Sequence, residues 1–191
     1  MEPRISGHKA ESVISSLGFL NSHRVEAIGF FGGIWIAWYD IVKVDILWNH
    51  FQFIHYRVTA KDDGCSIFTT TIYACPNAMQ CKLLWHHLRM LAESIQSLWI
   101  LFGDFNATLS PSECLGCAST SKPSKAFQDL IFDHGLRDTG YQGPNFTWSR
   151  GNASVRLDRF ICNSFWDVSF LKPTLNTYYA SDPTIAPYSF E

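Results

Sequence analysis

Leu98-Trp-Ile-Leu-Phe-Gly-Asp-Phe-Asn-Ala107 decides how this 191-residue chain reads. An apolar run of β-forming residues stops at Gly103 and then presents Asp104 and Asn106 with one apolar residue between them. A buried strand ending this way exposes a carboxylate and a carboxamide at its carboxyl edge. α/β folds carry chemistry there, because the edge is open while the strand holds it rigid. A carboxylate binds metal or takes a proton from water; a neighbouring Asn bonds a phosphate oxygen or orients that water. A strand followed by an Asx turn accounts for the same residues, since Asp and Asn favour turns. The motif alone does not separate the two readings.

Working outward, the period before this strand is helical. From Met79, the residues Leu84, Leu88, Leu91, Ile95 and Leu98 recur at steps of four and three, an apolar stripe on one helix. His86 and His87 stand beside that stripe. Neighbours on a helix point about 100° apart, so they read as helix-surface residues rather than two ligands of one metal. Ser66 to Tyr73 reads as a strand that ends at Cys75-Pro76, where a missing amide forbids another ladder bond. Strand, helix and strand make one βαβ-like crossover.

Further upstream, Phe51 to Val58 and Ile41-Val-Lys-Val-Asp-Ile46 alternate as half-buried strands, with Lys43 and Asp45 outward. Lys61-Asp-Asp-Gly64 is a hairpin turn, Ile34 to Trp38 another strand, and Glu11 to Leu17 a short helix stopped by Gly18. Downstream, Ser110 to Lys125 reads as a loop and Ala126 to His134 as a short helix stopped by Gly135. Phe146 to Trp148 and Val155 to Ile161 are short strands around the Arg150-Gly-Asn152 turn. Many hairpin strands with few helices predict an α/β sandwich: two mostly antiparallel sheets face to face with helices outside, in one domain over residues 1–191.

Composition sets limits on function. Hydrophobic residues make up 47% of the chain and aromatics 15%, enough for a large core, while charged residues are only 17%. The net charge of −2, without a Lys/Arg block, gives no sign of strong sequence-independent attraction to nucleic acid and leaves room for a local basic groove. The apolar stretch Ile28 to Trp38 is about half the length that crosses a bilayer, and the first residues lack the apolar core of a signal peptide. No membrane association and an intracellular location are therefore expected. Six cysteines then read as mostly reduced thiols, several of them buried. Cys114-Leu-Gly-Cys117 has half of a zinc spacing, but no second pair follows and His134 lies too far along, so neither zinc nor redox work is expected of it.

Four acids stand at strand ends or turn edges: Glu2, Asp104, Asp158 and Asp182. In Arg156-Leu-Asp-Arg-Phe-Ile161, alternation sets Asp158 on the face opposite Leu157. It is then either a surface ion-pair partner of Arg156 or Arg159 or a carboxylate in a polar pocket between the sheets. Tyr73, at the end of its strand, offers a phenol to a phosphate or is an ordinary strand-edge aromatic. Periodicity fits both.

The set of motifs resembles the endonuclease/exonuclease/phosphatase superfamily in chain order. It consists of Ile72-Tyr-Ala-Cys-Pro76, the amphipathic helix, Gly103-Asp-Phe-Asn106, Phe146-Thr-Trp148, Arg156-Leu-Asp158 and Ser181-Asp182. More narrowly, three stretches are similar to endonuclease domains of plant LINE-type retrotransposons: Val25-Glu-Ala-Ile-Gly-Phe-Phe-Gly-Gly-Ile-Trp35, Asp133-His-Gly-Leu-Arg-Asp138 and Gly143-Pro-Asn-Phe-Thr-Trp-Ser149. The resemblance runs over essentially the whole chain. It implies a four-layer αββα sandwich and a phosphodiesterase that uses Mg²⁺ or Mn²⁺ to nick DNA, working in the nucleus if it serves a retroelement. Glu2 would be the metal-binding glutamate and Asp182 would belong to the motif beside the metal. Asp104 would activate the attacking water, Asn106 would position water and phosphate, Tyr73 would contact the phosphate, and Asp158 would orient a histidine.

Two departures from the family pattern bear on activity. The family's Ser-Asp-His reads Ser181-Asp182-Pro183, so the histidine is absent, and His134 is the one replacement in the later half of the chain. The chain also begins at the metal-glutamate position, and its end lacks an obvious closing strand. The expectation is a domain truncated at both ends, without the family's first strand. A positioned acid–base group contributes roughly 10²–10⁴ in rate, so weak or absent turnover is expected. The alternative is a catalytically dead relic that holds metal or nucleic acid on the same fold.

Overall fold

The computed structural model describes residues 7–28, 31–117 and 122–166. Helix α1 (Gly7–Ser16) leads into an antiparallel hairpin of β1 (Asn21–Ile28) and β2 (Phe31–Trp38), paired from Asn21 with Trp38 to Ile28 with Phe31. A meander follows: β3 (Val42–His50), β4 (Phe53–Ala60) and β5 (Ser66–Tyr73). Helix α2 (Ala78–Ser94) crosses over to β6 (Trp99–Asp104), which pairs parallel with β5. A 3₁₀ turn (Pro111–Glu113), β7 (Cys114–Leu115), α3 (Lys125–Asp133) and β8 (Arg137–Asp138) come next. The described chain closes with the hairpin β9 (Trp148–Arg150) and β10 (Ala153–Val155), then β11 (Asp158–Cys162).

Among the described residues the large sheet has the order β3-β4-β5-β6-β11-β8, beside a three-stranded β7-β10-β9 sheet and the β1-β2 hairpin. Its two faces are packed differently. One buries Phe53, Ile72, Trp99, Leu101 and Ile161 against Leu84, Trp85, Leu88 and Leu91 of α2 and Phe127 and Leu130 of α3. Trp85 and Phe105 flank the Phe127 ring at centroid distances of 5.0 and 5.1 Å. The other face packs Ile54 and Tyr56 against Ile34 of β2, with Val25 and Ile36 around them. Residues Phe53 to Tyr56 of β4 are covered on both sides, and all four are buried. With α1 tied to β1 through the Glu11–Arg24 ion pair (3.1 Å), the layers follow the expected αββα order.

Local chemistry fixes the ends of α2. The Asn77 side chain accepts from the backbone N–H groups of Met79 (2.9 Å) and Gln80 (3.3 Å). At the other end Ile95 is already extended, and the Leu98 carbonyl accepts from Phe68 N–H (2.9 Å). Leu98 therefore lies outside the helix, in the residue leading into β6, and not on the helical stripe its spacing suggested. The segment Val155 to Ile161 is likewise two strands, with a break at Arg156-Leu157 between β10 and β11. Register also slips between Ile46 and Trp48, so β3 carries a bulge against β4. Four cysteines are free, two of them buried, whereas Cys114 and Cys117 are disulfide-bonded to each other. No helix among the described residues is long and apolar enough to cross a membrane.

His55 makes the fold sensitive to acid. Its ring is buried beside Phe68 and meets Thr70 Oγ1 at 2.9 Å; the same oxygen accepts from Trp99 Nε1 (2.9 Å). Burial pushes the His55 pKa down to about 4. The unfolded imidazole takes up its proton near pH 6.5, while the folded one stays neutral down to that lower value. Stability therefore falls as pH drops from 6.5 towards 4, by roughly 3 kcal/mol from this residue, and its share is constant below that window. Burial shifts His50 and His87 downward as well, adding to the same limb. His55→Gln should flatten this limb in urea midpoints measured between pH 4 and 7. An unchanged slope would assign the acid loss to other groups.

Candidate active site

The site is built at the ends of three neighbouring strands. Tyr73 of β5 pairs with Asp104 of β6, and Asp104 pairs on its other side with Asp158 of β11. Ile72, Leu101 and Ile161 belong to the core under the helices, so alternation turns Tyr73, Asp104 and Asp158 to the opposite face. The three side chains form one row across the sheet. Asp158 is exposed, and so is Phe160 (40%), which stacks on Phe102 one step further back on the same face.

The ladder sharpens the acidic pair. Phe105 N–H donates to Leu157 O (2.9 Å), which makes 105/157 a hydrogen-bonded pair and leaves Asp104/Asp158 a non-hydrogen-bonded one. In such pairs the side chains stand closest, with Cβ atoms about 4.5–5.5 Å apart. Like charges directly opposite one another are destabilising. This arrangement favours a cation between or beside the two carboxylates. The Asp158 amide points away from β6 and donates to Thr147 Oγ1 (3.0 Å), as does the Leu157 amide (3.0 Å).

The turn after Asp104 is tightly specified. Asp104 Oδ1 accepts from Asn106 N–H (2.8 Å), while Asn106 Nδ2 donates to Ala74 O (2.6 Å) and reaches Asp104 Oδ2 (3.3 Å). The Asx turn and the half-buried carboxylate are thus one structure, and the two readings of the motif do not compete. Asn106 is the one described non-glycine residue with positive φ (44°), a conformation Asn tolerates better than most. Its amide group is committed to holding the turn against the exit of β5. Just before, Gly103 has φ +126°, and a Cβ there would lie 2.1 Å from Ile72 O. Only glycine lets β6 run this close to β5.

Several expectations change on this geometry. Asp158 pairs with neither arginine: Arg156 and Arg159 both turn to Glu113 and Asp138. This cluster, with Arg159 buried at its centre and the other three half-buried, has no local signal in the sequence, because Arg156 lies in the break between β10 and β11. His134 caps the end of α3, which packs on the face opposite the acidic row, so it does not replace the missing histidine. Cys81 is pushed up to about 11 by burial first, then by Cys75 and the Asp104 charge, which leaves it a thiol at neutral pH. Glu2, Asp182 and Pro183 lie outside the described residues.

A hard divalent cation suits what is present. The donors on the acidic row are all oxygens, and Mg²⁺ takes one or two carboxylates with waters and phosphate oxygens completing its shell. Among the described residues no group of three or more His, Cys, Asp or Glu side chains is arranged to hold a metal.

A layered αββα sandwich with carboxylates on adjacent strand ends defines the class of protein. Residues 24–182 match the family described as Endonuclease/Exonuclease/phosphatase, and the chain belongs to that family. Among solved structures it is similar to the endonuclease domain of TRAS1, a telomere-specific non-LTR retrotransposon (TM-score 0.54, 14% identity, 75% of this chain and 67% of that one). It is also similar to the human Nocturnin catalytic domain (0.53, 13%, 82% and 65%) and to D. rerio TDP2 complexed with single-strand DNA product (0.53, 15%, 84% and 68%). The chain spans about two thirds of the length of each. At these identities the likeness is one of fold. A search of curated proteins by sequence found no match.

Proposed function

We propose that this chain is a divalent-metal phosphodiesterase of the retrotransposon-endonuclease type, with DNA as substrate and little or no turnover in this copy. The observation that carries the reading is the Tyr73–Asp104–Asp158 row, which sets two carboxylates and a phenol side by side at an open strand edge. Asp104 takes the proton from the attacking water, Asn106 holds the turn that aims Asp104, and Tyr73 contacts the phosphate. Asp158, in a non-hydrogen-bonded pair with Asp104, stands where the family pattern has a carboxylate that orients the motif's histidine, which is Pro183 here. Glu2 and Asp182 would be further carboxylates for Mg²⁺ or Mn²⁺, which when bound would polarise the phosphoryl oxygens and stabilise their developing charge.

The low turnover follows from Pro183, which stands where the family's Ser-Asp-His carries its histidine. The same substitution favours a second reading, a relic that still binds metal or DNA without cutting. Nicking of supercoiled plasmid in Mg²⁺ by the parent and by Pro183→His distinguishes them. Activity in the parent, lost with EDTA, supports a working nuclease. Silence in the parent with nicking in Pro183→His means an intact scaffold disarmed at one position. Silence from both folded proteins leaves the relic.

A further inference from the structure

Arg159 follows Asp158 in β11, and strand alternation turns its side chain to the opposite face, where it is wholly buried. Its guanidinium meets Glu113 fork to fork, Nη1 to Oε1 at 2.9 Å and Nη2 to Oε2 at 2.5 Å. Nη1 also donates to Asp138 Oδ2 (2.9 Å), and Nη2 reaches the carbonyl oxygens of Arg156 (3.3 Å) and Ala107 (3.4 Å). Ala107 is the residue after Asn106. Glu113 carries the connection forward: its Oε2 accepts from the backbone N–H groups of Leu109 (2.6 Å) and Ser110 (3.4 Å), and its carbonyl accepts from Arg156 N–H (3.0 Å). Arg156 closes the cluster on Asp138 (2.8 Å).

Two cations and two anions thus join three separate segments: the loop leaving Asn106, the short strand β8 and the strand bearing Asp158. Stability does not explain why they are charged, because well-packed apolar residues serve a buried site as well or better. What a buried, bidentate network gives is a single geometry. The turn needs one. Asn106 sits at positive φ and, among the described residues, is held in front by Asp104 and Ala74. Arg159 and Glu113 hold the same loop from behind. Burial works against the Glu113 carboxylate, yet Arg159 and the Leu109 and Ser110 amides outweigh it and keep its pKa below the ordinary value.

We infer that Arg159 is a positioning residue: acting through Glu113, it fixes the Asp104–Asn106 turn at the height of Asp158. Its catalytic consequence rests on the roles proposed above for those residues; the structural consequence does not. The test uses the full chain with Arg159→Lys, which keeps the charge but loses the fork, and Glu113→Gln, which keeps the shape but loses the charge. Arg159→Ala is avoided because Glu113 and Asp138, both half-buried, would keep only Arg156 as a cationic partner and a cavity would be left where the guanidinium lay.

Both variants should melt cooperatively. Amide exchange over 105–110 should quicken at least tenfold, while exchange in β3 to β5 stays at the parent's rate. Plasmid nicking, in the parent or in the Pro183→His background, should lose about 10²-fold in kcat with KM within twofold, the expected size for a small misplacement of reacting groups. Unchanged exchange over 105–110, or a rise spread evenly over the whole molecule, overturns the inference, as does faster local exchange with unchanged kcat. If neither background nicks, the proposed activity fails, and the exchange pattern alone decides the role of Arg159.

Discussion

Gly103→Ala is expected to destabilise the fold by about 4 kcal/mol or more, an unusually large effect for one added methyl group. Two costs combine. The backbone at φ +126° is one that L-residues rarely adopt, which by itself costs about 1–3 kcal/mol. The new Cβ would also lie 2.1 Å from Ile72 O, a backbone atom fixed in the parallel β5–β6 pairing, and no rotamer change relieves that contact. Relief requires the two strands to part where Tyr73 and Asp104 meet. Urea denaturation followed by far-UV circular dichroism gives the number, and a loss near 1 kcal/mol would show that this close approach is not rigid.

Asp104→Ala should have the opposite profile, with nicking reduced to background and the fold nearly intact. The carboxylate is the proposed base, and no described side chain beside it can take its place, since Asp158 lies across the strand pair and Cys81 remains a protonated thiol. The folding cost includes the two hydrogen bonds from Asn106, N–H to Oδ1 and the longer Nδ2 to Oδ2, about 1–2 kcal/mol together, partly offset by relief of the charge facing Asp158. Nicking assays in the parent or the Pro183→His background, paired with thermal melts, read both halves. Cleavage at the undiminished rate by a folded Asp104→Ala protein would move the chemistry elsewhere on the molecule.

The sequence makes these residues visible to different degrees, for physical reasons. Asp104 and Asn106 are legible because a strand ending in Gly-Asp-x-Asn has a period, a breaker and polar side chains, all of them local signals. Tyr73 and Asp158 are found by motif order. That they share one row with Asp104 depends on the β5–β6 and β6–β11 registers, set by contacts between segments distant in the chain. The Arg159 cluster is hidden for the same reason. Its partners Glu113 and Asp138 come from a stretch read as loop and from a two-residue strand, neither of which has a periodicity to betray it. The Leu98 misreading arose where a helical stripe runs straight into a strand. Apolar spacing continues across the boundary while the backbone has already changed.

The β3 bulge has a consequence for how copies of this chain can meet. Among the described residues β3 and β8 are the outermost strands of the large sheet. An outer strand with a regular row of open amides is a template on which another chain can build. Here one border is irregular between Ile46 and Trp48 and carries Lys43 and Asp45, and the other is only two residues long. Neither border of the large sheet offers a long straight margin, so ribbon-like growth from that sheet is disfavoured.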